Sequence, residues 1–147
     1  MSLHSAMWRV HVSEIDDMTL IMKSIEWIAG ENASIKIDKG KSIHGAIQNT
    51  IIANVDNKKN AYESFIRLGK QTLSQIMKEN ISKRIDGNKN FHIRLDISSL
   101  VSEEISINEN RGDLIAKGIF KIECYPGNNP ENIISELIKK NIDEGNI

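Results

Sequence analysis

Cysteine is almost absent from this chain, since Cys124 is the only one among 147 residues. A single thiol excludes an intramolecular disulfide and is typical of a reducing compartment. Long apolar runs are lacking too, and the first residues lack the basic and hydrophobic stretches of a secretory signal. We therefore expect a cytoplasmic protein with no membrane partner.

A strong net charge is also lacking, because 19 basic residues are balanced by 20 acidic ones. The balance removes any global electrostatic argument for a nucleic-acid partner, so such a partner would need a local basic patch. The histidines at positions 4, 11, 44 and 92 show none of the short spacings of a metal site. We expect neither a metal nor another cofactor.

Motifs of catalysis are missing or incomplete. The GKS at residues 40–42 imitates the end of a phosphate-binding loop, but the position that should hold its first glycine is Ile35. The acidic pairs at 16–17 and 103–104 are adjacent residues, whose side chains diverge on a strand or a helix. The sequence therefore predicts a protein that is not an enzyme.

Hydrophobic periodicity predicts the order β-α-β-β-α-β-β-β-α. This order predicts one two-layer α+β domain, with a largely antiparallel or mixed sheet, helices packed on one face and the other face open. The predicted strands cover 8–14, 33–37, 46–55, 90–97, 104–108 and 114–126, and the predicted helices lie at 18–28, 57–85 and 128–141.

Capping and turn residues set the expected boundaries of these elements. Ser13 or Asp16 can cap the first helix, and Gly30 can end it in the left-handed conformation. The second helix is either one long helix or two halves bent near Gly69, and Asn129 can cap the last helix. We expect the domain to cover residues 7–142. Residues 1–6 are expected to be disordered or derived from cloning, and residues 143–147 to form a flexible C-terminus.

The strand NFHIRLDI alternates strictly between apolar and polar residues. Its apolar residues, such as Phe91 and Leu95, should lie under the helices, together with Phe120 and Cys124 of a later strand. Its polar residues should lie on the open face. The same phase in the other strands predicts a face with more basic than acidic groups: Arg9, His11, Lys36, His92, Arg94, Lys117 and Lys121 against Asp38, Asp96 and Glu123.

Such a face is suited to the phosphates of RNA, since several lysines and arginines within reach of successive phosphates suffice. Its lack of aromatic residues argues against base stacking and favours structured RNA. The alternative is an ordinary solvated sheet surface. Lys39, Lys41 and His44, in a loop expected at 38–45, are further candidates for RNA contact, whereas a helix cluster of Arg67, Lys70 and Lys78 is more typical of a solvated helix.

Four stretches of sequence occur in an order that resembles a known family. They are WRVHVSEIDD, GKSIHG, KRIDGNKNFHIRLDIS and GDLIAKGIFKIECYPGN. Over residues 7–140 the chain resembles the archaeal family of RNA-binding proteins that are predicted exosome subunits. The matched motifs are His44-Gly45, Arg84-Ile85-Asp86, Arg94-Leu95-Asp96 and Tyr125-Pro126.

The resemblance implies a fold similar to that of the ribosomal protein that holds 5S RNA, and a role with RNA-processing or RNA-degrading machinery. The chain departs from the family pattern in two places. The family's Gly-Asn-Pro is 45–47 Gly-Ala-Ile here, and the Lys-Gln after the R-x-D motif is Ile97-Ser98. If those residues contact RNA in relatives, this chain would bind RNA differently or more weakly.

Two alternatives to RNA binding remain at this point. The first is a protein-interaction module that forms a homodimer or docks a partner through the open face, suggested by apolar Ile52, Ile115 and Ile119. The second and weaker alternative is a magnesium-dependent nuclease that uses Asp38, Asp86 or Asp96.

Overall fold

The computed structural model describes residues 2–41, 45, 47–110 and 112–143. Its five strands form one antiparallel sheet in the order β2-β3-β1-β5-β4. The strands are β1 (Leu3–Ser13), β2 (Ser34–Lys41), β3 (Ile47–Val55), β4 (Asn90–Asp96) and β5 (Ile115–Ile122). The helices are α1 (Met18–Ala29), α2 (Lys58–Ile66), α3 (Lys70–Lys78), the short α4 (Ile97–Leu100) and α5 (Pro130–Asp143), with one 3-10 turn at Ile81–Arg84.

The helices cover one face of the sheet, which confirms the predicted two-layer α+β fold. An aromatic cluster joins the layers, since Trp8, Phe91 and Phe120 of the sheet and Phe65 of α2 are all fully buried. Their ring centroids lie between 5.2 and 6.4 Å apart, mostly edge to face. Such a pair contributes about 0.5–1.5 kcal/mol beyond its buried area. As predicted, Leu95 is buried beside them, while Cys124 is only half-buried.

Helix boundaries follow the local sequence, with one correction at the first cap. The N-cap of α1 is Asp17, whose carboxylate accepts from the backbone N–H of Leu20 at 3.1 Å. Asp16 instead accepts from the backbone N–H and the hydroxyl of Ser13, which closes the turn before the helix. Gly30 ends α1 as predicted, but its φ of 100° and ψ of 159° lie outside the left-handed helical region, in a conformation that glycine readily adopts.

The second predicted helix is two helices. The chain turns at Gly69, whose φ of 88° is readily adopted only by glycine, so the alternative with a bend is confirmed. At the last helix the Asn129 side chain accepts from the backbone N–H of Glu131 at 2.8 Å, as a cap should.

Four strand predictions were wrong in extent. The strand predicted at 114–126 ends at Ile122. β1 begins at Leu3, whose side chain is fully buried, so residues 3–6 are part of the sheet rather than a disordered extension. β2 continues through the supposed loop as far as Lys41, opposite Ile47, because the backbone ladder of a hairpin tolerates polar side chains. The segment 104–108 makes only an isolated bridge, between Ile107 and Leu95.

Asp143, expected in the flexible C-terminus, is the last residue of α5, and residues 144–147 lie outside the described part. None of the described helices is long and apolar enough to cross a membrane.

Candidate nucleic-acid interface

A row of basic side chains crosses the open face of the sheet. Arg9 on β1 lies opposite Lys117 on β5, which in turn lies opposite Arg94 on β4. On its other side Arg9 is opposite Ile52 of β3, and Ile52 is opposite Lys36 of β2. We term Lys36, Arg9, Lys117 and Arg94 the basic row. With neighbouring strands about 4.8 Å apart, the row spans about 19 Å.

The cations of the basic row raise the electrostatic potential at its centre. Burial, together with the charges of Arg94 and Arg9, lowers the pKa of Lys117. Burial and the charges of Arg9 and Lys117 likewise lower the pKa of His11, which lies two residues from Arg9 on β1. A bound anion would relieve this repulsion, so the centre of the row favours negatively charged ligands.

The protein pairs the cations at the ends of the row with carboxylates, but not those at its centre. In the described part of the chain, Arg9 and Lys117 belong to no ion pair within 4.0 Å. At the ends of the row, Lys36 Nζ is 3.6 Å from Asp38 Oδ1, and Arg94 Nε is 4.0 Å from Glu109 Oε2. The basic row is therefore weakly paired at its ends and unpaired at its centre.

Glu123 was counted against the positive charge of this face, but it has a cation of its own. Its Oε1 accepts from Lys58 Nζ at 2.9 Å and from the Tyr125 hydroxyl at 2.6 Å. These two hydrogen bonds lower the pKa of Glu123 to about 2. The Glu123 carboxylate is therefore already paired with a cation and lowers the positive potential at the basic row only slightly.

Two of the predicted open-face residues are bound to the turn before β4. Lys121 lies opposite Asn90, and its Nζ donates to the backbone carbonyl of Asn88 at 2.6 Å. His92 Nε2 is 2.7 Å from Asp86 Oδ2. Lys121 is four residues from Lys117 along β5, about 13 Å at the rise of a strand. Both side chains share the open face with the basic row, but they lie at its margin.

The aspartates of the matched motifs have structural roles. Asp86 accepts from the backbone N–H of Asn90 as well as from His92, and these bonds hold the pKa of the Asp86 carboxyl well below its usual range. Asp96 is the N-cap of α4 and accepts from the backbone N–H of Ser99 at 3.0 Å. The two residues shape the beginning and the end of β4, the strand that carries Arg94.

The carboxylates considered for a nuclease do not converge. Asp96 is the last of the 7 residues of β4, a strand about 20 Å long, and Asp86 lies before the first. Asp38 lies on β2, at the other edge of the sheet. Within residues 2–41, 45, 47–110 and 112–143, no group of three or more His, Cys, Asp or Glu side chains could hold a metal ion.

Of the three candidates expected in the loop after the second strand, Lys39 does not join the basic row. Lys39 is opposite Asn49 and has the phase of Ile37 and Ile51, so it points to the helix side of the sheet. The backbone of Lys41 pairs with β3, but its side chain is outside the described part, as is the whole of His44.

In the second candidate surface, on the helices, Arg67 has a structural role that the two lysines do not share. Arg67 Nη1 donates to the backbone carbonyl of Ile28 at 3.1 Å and so satisfies the C-terminal end of α1. Lys70 and Lys78 are exposed on α3. Of this helix cluster, therefore, Lys70 and Lys78 are the solvated charges.

Sequence analysis missed the groups that orient the ends of this surface. Glu109 Oε1 forms an ion pair with Arg84 Nη1 at 3.2 Å, and Glu109 lies beside Arg94, because the irregular segment after α4 folds back along β4. Thr50 Oγ1 is 2.9 Å from His11 Nδ1. Neither contact has a signal in the sequence, since each depends on the pairing of distant segments.

Comparison with known proteins agrees with this fold. A family model described as RNA binding matches residues 5–122. The chain belongs to this RNA-binding family. The match confirms the resemblance found in the motifs, while an exosome role stays a prediction. No curated protein matches the sequence at a significant level.

Solved structures of archaeal proteins share the fold over nearly their whole length. A DUF54 protein from Methanothermobacter thermautotrophicus is 18% identical with a TM-score of 0.73, and the alignment covers 95% of this chain and 98% of that one. A DUF54 protein from Archaeoglobus fulgidus is 20% identical with a TM-score of 0.75, covering 92% and 99%. A UPF0201 protein from Methanococcus jannaschii is 11% identical with a TM-score of 0.62, covering 91% and 98%. At these identities the likeness shows the fold alone.

Proposed function

We propose that this chain binds structured RNA through the basic row and catalyses no reaction on it. The observation that carries the proposal is the alignment of Lys36, Arg9, Lys117 and Arg94 across the sheet. Among the described residues, the central Arg9 and Lys117 have no ion-pair partner within 4.0 Å. Membership of the RNA-binding family supports the choice of RNA as the anion. Phosphates that replace condensed counterions would supply most of the affinity.

Recognition of backbone and shape is the mode that suits this surface. The sheet aromatics Trp8, Phe91 and Phe120 are all buried on the helix side, so they are not available to stack on bases. Structured RNA presents its phosphates in a fixed arrangement that a rigid sheet can match. From the resemblance we further propose that the protein acts in the cytoplasm as an accessory factor of RNA processing or of the exosome.

Docking of a protein on the open face is the less supported alternative. Ile115 is only 7% exposed, and Ile52 and Ile119 are half-buried between the basic side chains. The face therefore offers mainly charge rather than the apolar centre of a typical protein interface.

The test is a salt titration of the affinity for a labelled stem-loop RNA. We expect Arg9→Ala, Lys117→Ala and Arg94→Ala each to flatten the plot of log affinity against log salt by about 0.7–0.9. Lys78→Ala removes the same charge from the helix layer and serves as the matched control, with an unchanged slope. Equal slopes in all variants would refute the basic row as the binding surface.

The absence of catalysis is tested separately. The same RNA should remain intact after incubation with the protein and magnesium. Cleavage that disappears in Asp96→Asn would contradict the proposal and restore the nuclease alternative.

A further inference from the structure

The outer side of β2 has no strand against it in the described part of the chain. The opposite edge of the sheet is different, because the segment after α4 runs along β4. There the backbone N–H of Asp96 donates to the carbonyl of Ser106 at 2.8 Å, and the N–H of Asn108 donates to the carbonyl of Arg94 at 3.0 Å. An uncovered strand of 8 residues offers backbone donors and acceptors to another strand.

The side chains of β2 combine an exposed apolar residue with charges of both signs. Ile37, in the middle of the strand, is 40% exposed on the helix side of the sheet. On the open face Lys36 and Asp38 flank it, and their side chains are 69% and 51% exposed. These features allow β2 to pair with a strand of its own sequence.

Charge favours a register centred on Ile37 over those centred on its two neighbours. In an antiparallel pair related by a twofold axis perpendicular to the sheet, residues opposite each other lie on the same face. With the axis at Ile37, Lys36 lies opposite Asp38 of the second copy, and Asp38 lies opposite its Lys36. With the axis at Lys36 or at Asp38, like charges would face each other directly, which is unfavourable.

We propose that two copies of this chain pair through β2, with the twofold axis at Ile37, so that their sheets form one continuous antiparallel sheet. Ile37 of one copy packs on Ile37 of the other, and two Lys36–Asp38 ion pairs flank this contact on the open face. The axis keeps both open faces on the same side, so the two basic rows share one surface. The interface uses the edge of the sheet, and the inference does not depend on RNA binding.

The contact involves one strand from each copy, so its area is small and the dimer dissociates on dilution. Sedimentation of the RNA-free full chain at about 1–100 µM, the range for a modest interface, should show the mass rising from 16.6 kDa towards twice that value. Lys36→Asp and Asp38→Lys should each give a monomer, because each places like charges opposite one another. The double variant Lys36→Asp/Asp38→Lys restores opposite charges in this register and should dimerise again.

A thiol on the axis provides a second test that involves no change of charge. In a Cys124→Ser background, Ile37→Cys should form a disulfide-linked dimer on mild oxidation, because residue 37 meets its own copy. Ile35→Cys on the same face is the matched control. In the proposed register it lies opposite Lys39 and should remain unlinked.

Loss of the dimer in both single swaps, with recovery in the double swap, would support the proposal, provided that thermal melts show all variants folded. A wild-type chain that stays monomeric at the highest concentration would overturn it. A dimer unaffected by the single swaps, or equal crosslinking at positions 35 and 37, would also overturn it, since the copies would then meet elsewhere or in another register.

Discussion

Gly118 lies directly opposite Trp8 on the neighbouring strand, and the indole ring of Trp8 fills the space above the glycine. A Cβ at position 118 would be 2.6 Å from two ring carbons of Trp8 and 3.0 Å from Cγ2 of Ile93. The ring is fixed from its other side, because Trp8 Nε1 donates to Ser64 Oγ at 2.8 Å. The close contact between sheet and tryptophan therefore requires glycine at this position.

We expect Gly118→Ala to lower the free energy of unfolding by about 1–3 kcal/mol, since the new methyl group overpacks the core. Chemical denaturation followed by tryptophan fluorescence measures this change. Gly87→Ala is the control, because nothing lies within 4 Å of a Cβ there. Equal stability of the two variants would show that Trp8 moves aside without cost.

Ser64 joins α1, α2 and β1 through one buried hydroxyl. It accepts from Trp8 and donates to the backbone carbonyl of Ile28 at 2.6 Å. Ser64→Ala should lower the free energy of unfolding by about 1–3 kcal/mol, because the buried indole N–H loses its acceptor. Ser74→Ala on α3 controls for the change in helix propensity and should be nearly neutral. A loss of stability no greater in Ser64→Ala than in Ser74→Ala would contradict this role.

RNA affinity should increase as the pH falls, through His11. Burial and the charges of Arg9 and Lys117 lower its pKa in the free protein, so its imidazole is neutral at neutral pH. Phosphates bound to the basic row would favour the protonated ring and raise that pKa. Affinity should therefore rise between about pH 7 and pH 5.5, near the ordinary pKa of histidine.

His11→Gln should reduce this rise, whereas His4→Gln, near the other end of β1, should retain it. The lowered pKa of His11 also affects folding stability, which changes with pH in the opposite direction to the RNA affinity. The unfolded chain takes up the proton first, so the RNA-free protein should lose stability as the pH falls below the ordinary histidine value, and His11→Gln should lose less. Affinity profiles that do not differ among the three proteins would exclude His11 from the binding surface.

Lys121 should contribute less to RNA binding than Lys117, although the sequence pattern gives them equal rank. Lys121 already donates to the carbonyl of Asn88 and lies at the margin of the basic row. We expect Lys117→Ala to flatten the salt dependence by nearly one phosphate contact, about 0.7–0.9 in slope, and Lys121→Ala by clearly less. A larger effect of Lys121→Ala would place the RNA over the turn before β4 instead.

Much of the fold was accessible from local patterns. The alternation in NFHIRLDI placed Phe91 and Leu95 in the core and Arg94 on the open face, because successive side chains of a strand point to opposite sides. Gly30, Gly69 and Asn129 marked helix ends correctly, because capping depends on only a few neighbouring residues. At the start of α1 several possible N-cap residues lie close together, and the local sequence did not show which one caps the helix.

The sequence by itself determined which side chains could share a face, since that follows from a repeat of two residues along one strand. Only the tertiary structure decided which of them are neighbours. The order β2-β3-β1-β5-β4 and the registers within it bring Arg9 between Lys117 and Ile52, and leave β2 at an open edge. Strand order and register arise from contacts between residues far apart in the chain, where packing of one layer against the other selects among pairings that local patterns leave equivalent.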